Sequence, residues 1–251
     1  MRKLPGPFLS VLIATHNQAE YLTQCLDSLL DQTLERAAYQ IVIVDDGSTD
    51  TTATIISGYT KHIDVLVTHA HRMGLVKACN SGLQRAQGPW IVRLDSDDWL
   101  APDALEGLKK AAESGEGFDI IVPGHWVVEG GRVQVTQPDV GNVFTWIADS
   151  TLLRRQTVLD VGGYRDFYWE EYDLYLRMLC RGAKAQALPT PVLYYRKHEG
   201  GMTAQAAARD LGWRELVDAW PPSTLDQFGF HEELAIAYQQ SRRVLGCQKP
   251  S

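Results

Sequence analysis

Trp90-Ile91-Val92-Arg93-Leu94-Asp95-Ser96-Asp97-Asp98 joins an apolar run of strand length to three acids. A nearly continuous apolar run suits a parallel strand covered on both faces. Carboxylates at the carboxyl end of such a strand face the crevice in which open α/β sheets bind ligands. Asp95 and Asp97, one residue apart, can hold a hard divalent cation that also bridges a diphosphate, because such ions share oxygen ligands with substrate phosphates. The same residues also read as a solvated turn whose Asp98 helps to start the next helix.

Working outward, Phe8 to Ala14 and Gln40 to Val44 are further apolar strands, and Asp64 to Thr68 is another. Asn17 with Glu20 reads as a capping box before a helix carrying Leu22, Cys25, Leu26, Leu29 and Leu30. Helices are also expected from the 45–50 turn to Tyr59 and from Leu75 to Ala86. Strand and helix therefore alternate through the first hundred residues, which implies a parallel sheet with right-handed crossovers. The turn Asp45-Asp46-Gly47-Ser48-Thr49-Asp50 then opens at the same sheet edge as Asp95-Ser96-Asp97-Asp98, which favours a shared binding crevice.

Beyond Pro102 and Asp103 another helix begins. Asp119 to Pro123 is a short strand, and Trp126 to Glu129 with Arg132 to Thr136 forms a hairpin about Gly130-Gly131. Residues 144–172 read as irregular and rich in aromatics. A helix over Glu170 to Arg181 stops at Gly182, and Val192 to Lys197 is strand-like. The tail reads as helical around Asp210 to Ala219 and His231 to Leu245.

A chain of 251 residues can bury one substantial α/β core with a smaller annex. Its formal charge of -7 argues against nucleic-acid binding, which calls for a basic face. Cys25, Cys79, Cys180 and Cys247 form no close pair, so neither a zinc ribbon nor a disulfide framework is expected. No run approaches the ~20 apolar residues of a membrane span, and no signal peptide opens the sequence. The expected location is the cytoplasm. For peripheral contact with the inner face of a membrane, Arg242, Arg243 and Lys249 are a weak basic candidate.

From Ser10 to about Thr203 the chain resembles the inverting glycosyltransferases of family 2, which have a GT-A fold. The resemblance rests on Ala14-Thr15-His16-Asn17, Asp45-Asp46-Gly47-Ser48-Thr49-Asp50, Gly74-Leu75-Val76-Lys77-Ala78-Cys79-Asn80-Ser81-Gly82 and Leu94-Asp95-Ser96-Asp97-Asp98. It continues through Gly162-Gly163-Tyr164, Glu170-Glu171-Tyr172-Asp173-Leu174 and Tyr195-Arg196-Lys197-His198. Each motif is weak alone; in this order and spacing they are strong.

The resemblance implies an α/β GT-A fold: a central, mostly parallel sheet with helices on both faces, plus a smaller β/helical annex on the acceptor side. It divides the chain into a glycosyltransferase domain, 8–203, and a helical tail, 204–251. Within that domain, 8–100 is the nucleotide-binding half and 101–203 the acceptor-binding and catalytic half. It further implies that a nucleoside-diphosphate sugar, favouring UDP, is bound by Thr15, Asn17, Asp46, Lys77, Asp95 and Ser96, with Asp46 accepting a hydrogen bond from the base. Asp97, Asp95 and His198 are the candidate ligands for Mn²⁺ or Mg²⁺, and Lys77 also reads as a solvated helix lysine. Trp169 and Glu170 are candidates for contact with a carbohydrate or lipid-linked acceptor, although large aromatics are most often core material.

Geometry as well as resemblance points to Glu171 as the catalytic base. On a helix from Glu170, Glu171 shares a side with Leu174, Tyr175, Met178 and Leu179, whereas Glu170 and Asp173 point elsewhere. Asp173 then reads as a helix-surface acid paired with Arg177. The family more usually has aspartate at position 171, and a capping role for Glu171 stays open. His16, His62, His69, His71, His125 and His231 receive no chemistry. Thr15-His16-Asn17-Gln18-Ala19 contains no glycine, which argues against a nucleotidyltransferase or a nicotinamide enzyme. A flanking carboxylate pair of the glycosidase kind is neither shown nor excluded. A nucleotide-sugar-binding or scaffolding protein that has lost catalysis is the alternative to a transferase.

Overall fold

In the computed structural model, which describes residues 6–114 and 117–230, the apolar runs become the inner strands of one nine-stranded sheet. The strands are β1 (Leu9–Thr15), β2 (Tyr39–Asp45), β3 (Val65–Thr68), β4 (Trp90–Arg93), β5 (Trp99–Leu100), β6 (Ile120–Glu129), β7 (Arg132–Thr136), β8 (Leu152–Arg154) and β9 (Ala185–Arg196). Their order is β3-β2-β1-β4-β8-β6-β9-β5, with β7 paired to the outer half of β6. β3, β2, β1 and β4 run parallel. β8 is antiparallel to both β4 and β6, and β6 is parallel to β9.

Because alternate strand residues face opposite ways, each inner strand supplies two cores. Leu9, Val11, Ile13, Ile41, Ile43, Trp90 and Val92 pack on α1 (Leu22–Leu30), α2 (Thr52–Gly58) and α4 (Ala104–Ser114). Leu12, Val42 and Ile91 pack on α3 (Leu75–Arg85), α5 (Arg155–Asp160) and α6 (Glu170–Cys180). Each fully buried Leu, Ile or Val contributes about 1.5–3 kcal/mol. These short helices are therefore held by their buried faces rather than by propensity. The same alternation puts Arg93 and Asp95 on the α3/α6 side, while Leu94 joins the other core.

Several sequence expectations are corrected. There is no capping box at Asn17: α1 follows Tyr21, which makes no side-chain cap. Asn17 is left-handed (φ 54°), and its Oδ1 accepts from the backbone N–H groups of Thr49 (2.8 Å) and Asp50 (3.3 Å), stitching the first two loops together. The short strand at Asp119 and the hairpin strand at Trp126 are one strand, β6, whose register against β9 shifts on both sides of Gly124, where β9 carries the extra residues and two prolines, which have no N–H for the ladder. β9 starts seven residues before Val192, with Pro189 and Pro191 inside it.

The segment read as irregular holds β8 and α5, elements too short to show a period. The hairpin turn is as expected, with Gly130 and Gly131 at φ 54° and 79°. Asp210 to Ala219 lies within α7 (Ala206–Ala219), which precedes α8 (Pro222–Gln227). The helix expected over His231 to Leu245, and the basic residues Arg242, Arg243 and Lys249, lie outside the described residues.

Candidate active site

A cleft of about 520 Å³ opens at the carboxyl ends of β1, β2 and β4, where both acidic turns meet. Thr15, Asn17, Asp46, Asp95, Ser96 and Asp97 line it, as do Arg72, Arg93, Tyr168, Gly200, Gly201, Met202 and Gln205. Gly47 makes the meeting of loops possible. At φ 69°, its missing Cβ would lie 2.4 Å from the His71 carbonyl carbon, so the 45–50 turn can press directly on the 71–74 loop.

That contact fixes Asp46. Its Oδ1 accepts from His69 Nδ1 (2.7 Å) and Met73 N (2.8 Å), and its Oδ2 from Gly74 N (2.8 Å). Burial by itself would raise the Asp46 carboxyl, but these hydrogen bonds hold it below its ordinary value. Oδ2 keeps one acceptor position for a ligand N–H. Ser81 Oγ lies 3.0 Å from His69 Nε2, so both ring nitrogens of His69 are engaged. Thr15 Oγ1 is buried without a partner. His69 thus has a structural role that sequence spacing did not reveal.

At the centre of the cleft, Arg93 Nε and Nη2 donate to the two oxygens of Asp95 at 2.6 and 2.7 Å, and Nη1 donates to Glu170 Oε1 at 2.6 Å. Arg93 is 6% exposed and is the one buried lysine or arginine among the described residues. Burial would lower its pKa, but Asp95, Cys79 and Glu170 raise it, keeping the guanidinium charged. Asp95 N donates to Asp149 Oδ1 (2.5 Å). Asp98 does not head a helix: it is buried and accepts from Arg196 N (2.6 Å), and burial pushes its carboxyl up to about 7.

Asp97 Oδ2 and His198 Nε2 lie 2.9 Å apart, with the Tyr21 ring against the imidazole. Arg196 Nε donates to the Asp97 carbonyl, and its guanidinium lies between the rings of Tyr21 and Trp99. Among the described residues no group of three or more His, Cys, Asp or Glu side chains is arranged to hold a metal ion. One carboxylate and one imidazole nevertheless fit an ion that takes its remaining ligands from a substrate diphosphate and water, as Mg²⁺ commonly does. Asp95 is tied through both oxygens to Arg93, each oxygen keeping one further acceptor position.

The first turn of α6 buries three acids. Glu170 is 1% exposed and held by Arg93, so it is not a free acceptor contact. Glu171 is 8% exposed, its Oε2 has no partner, and it lies outside the cleft lining. Burial first, and repulsion from Glu170 second, push the Glu171 carboxyl up to about 8 against the pull of Arg93. Asp173 is not a surface acid. It is 0% exposed and accepts from Arg165, from Trp220 Nε1 and, as expected, from Arg177.

Trp169 is packed among Tyr168, Tyr172 and Trp213 rather than presented to a sugar. Tyr168 is the aromatic that lines the cleft; its hydroxyl donates to the Met202 carbonyl (2.7 Å), and its N–H to Glu215 Oε2 (3.0 Å). Gly163, at φ 72°, lets Asn80 pair with both backbone groups of Tyr164. Lys77 is exposed on α3 and does not reach the cleft; Arg72 from the preceding loop does.

A mixed sheet with acidic loops at its carboxyl edge and a buried acid on the annex helix is the architecture of GT-A enzymes, and solved structures bear this out. TarS of S. aureus in complex with UDP-GlcNAc is similar with a TM-score of 0.69 at 21% identity over 88% of this chain and 71% of that one. The mannosyltransferase PcManGT from Pyrobaculum calidifontis, solved with GDP-Man and Mn²⁺, has a TM-score of 0.69 at 18% identity over 97% of this chain and 77% of that one. The family model for glycosyl transferase family 2 matches residues 10–168, and the chain belongs to that family. EpsH of Bacillus subtilis, named as a glycosyltransferase, is 36% identical over 117 residues. That match covers 46% of this chain and 33% of EpsH, so the chain spans about a third of that relative's length.

Proposed function

We propose that the chain transfers a sugar from a nucleoside-diphosphate sugar, with UDP the favoured nucleotide, to an acceptor hydroxyl with inversion at the anomeric carbon. The observation that carries this reading is Asp46, fixed by three donors with one acceptor position left, facing a cleft shared with the Asp95–Asp97 turn. That position suits a base that presents an N–H, as uracil does. Asp95 and Ser96 meet the ribose, and Arg72 meets the phosphates as a cation. Asp97 and His198 are the residues that would hold Mn²⁺ or Mg²⁺, and such an ion supplies neutralisation of the charge on the departing diphosphate.

Glu171 is the general base: its free Oε2 takes the proton of the acceptor hydroxyl as that oxygen attacks the anomeric carbon, and the sugar–phosphate bond breaks with the electron pair leaving on the diphosphate. The acceptor belongs to polysaccharide or glycoconjugate synthesis. No helix among the described residues is long and apolar enough to cross a membrane.

The test is thermal denaturation with UDP, GDP and other nucleoside diphosphates in Mn²⁺, followed by turnover of the matching sugar donors. Saturation at about 100 times Kd adds about 2.7 kcal/mol. In a chain of this size that raises Tm by roughly 5–10 °C. A melting temperature that no nucleoside diphosphate moves refutes the donor site; binding without turnover favours a nucleotide-sugar-binding protein.

A further inference from the structure

We propose that Arg93 is a positioning residue that ties the donor-binding turn to the catalytic helix, so that Glu170 helps to orient Asp95 although it lies outside the cleft. The inference rests on the donor reading of Asp95 given above. The residues come from separate parts of the chain: Arg93 ends β4, Asp95 begins the acidic turn, and Glu170 is the first residue of α6. Arg93 and Asp95 share a strand face, and α6 packs on that face, so the guanidinium lies between the two carboxylates.

Three of its five N–H donors are committed at 2.6–2.7 Å. This planar fork, itself buried, accepts little lateral adjustment on one side without losing geometry on the other. Asp95 is also held through its N–H by Asp149, leaving its side chain to be aimed by Arg93. Glu170 is followed directly by Glu171, so the link that aims the donor turn is anchored one residue from the base.

The experiment is a double-mutant cycle read by calorimetric titration of UDP in Mn²⁺, with the melting temperature of each variant recorded. Glu170→Leu is expected to weaken UDP binding about tenfold, within the usual range of coupling between sites. Glu170→Gln keeps an acceptor oxygen and should recover most of that loss. In an Arg93→Met background, Glu170→Leu should change UDP affinity less than about twofold, because the two residues act as a unit. The double variant replaces the buried ion pair with apolar side chains, a change such pairs often tolerate.

If Arg93→Met does not fold, Arg93→Lys serves as the background. An ammonium cannot hold Asp95 bidentately and Glu170 together, and the effect of Glu170→Leu should collapse in the same way. Wild-type UDP affinity in Glu170→Leu, or full additivity in the cycle, overturns the proposal. A melting temperature that falls with unchanged affinity assigns Glu170 a purely structural role and also overturns it. Failure of the wild-type protein to bind either UDP or GDP is a different result: it removes the donor reading itself, and this inference with it.

Discussion

With Glu171 as the proposed base, its buried carboxyl should make the pH dependence of catalysis and of stability run in opposite directions. With its pKa raised to about 8 by burial and by Glu170, the base is protonated over most of the range in which ordinary glutamates are ionised. A base works only when deprotonated, so kcat/KM should be highest above pH 8 and fall about tenfold per unit below it, to about one-hundredth at pH 6. Folding stability has the reverse slope. The folded state binds a proton more tightly than the unfolded chain, so the contribution is full below the ordinary value of 4.5 and is lost as pH rises through about 8, at about 1.4 kcal/mol per unit within that window. The assay is nucleoside diphosphate release with acceptor present, across pH 5.5 to 9.5 in about half-unit steps, paired with urea melts at each pH. Glu171→Gln should lower kcat by about 10²–10⁴, remove the acid limb of kcat/KM and remove the part of the stability slope that reaches pH 8. A flat wild-type profile, or an acid limb that survives in Glu171→Gln, refutes the assignment of Glu171 as the base.

Two other outcomes separate cleft residues from scaffold. Arg72→Ala should weaken UDP affinity about tenfold while Lys77→Ala leaves it unchanged, since only Arg72 lines the cleft; calorimetric titration decides, and an equal effect of both would displace Arg72 from the phosphate site. Asp173→Asn puts an amide N–H₂ against guanidinium donors in a site with 0% exposure, which should cost about 2–4 kcal/mol, kept modest because Arg165 is half exposed. Circular dichroism should show Tm lowered by roughly 5–12 °C, and a drop of a degree or less would mean that the Arg177 pair contributes nothing.

The sheet's parallel half was legible because its strands are long, apolar and separated by helices with a clear period, and the two acidic turns had to share an edge once the strands were parallel. The annex was not. β8 has three residues, and β9 carries two prolines, so neither shows alternation. Asn17 and Glu20 have the spacing of a cap, yet Asn17 is drawn into the neighbouring loop by the Thr49 and Asp50 amides, a contact between segments some thirty residues apart.

Within the site, the carboxylates were visible as types and the partners that hold them were not. Asp173 looked like a surface acid because its local pair with Arg177 is a common exposed motif; Arg165 and Trp220 come from outside the helix and bury it. Arg93 could have been found, since strand alternation puts it on the face of Asp95. Arg72 left no signal, and Tyr168 stood out only as one of an aromatic run, because loops have no period and their direction is set by what packs against them.

Tyr168 has a consequence for the economy of the reaction. It lines the cleft three residues before Glu171 and is fastened by its hydroxyl to Met202 and by its N–H to Glu215, while Glu171 Oε2 is buried without a partner. On the proposed reading, a water molecule that enters beside a bound donor does not meet the Glu171 carboxyl, which lies outside the cleft lining. On the same reading, acceptor binding must open a path to Glu171 before the hydroxyl can be deprotonated.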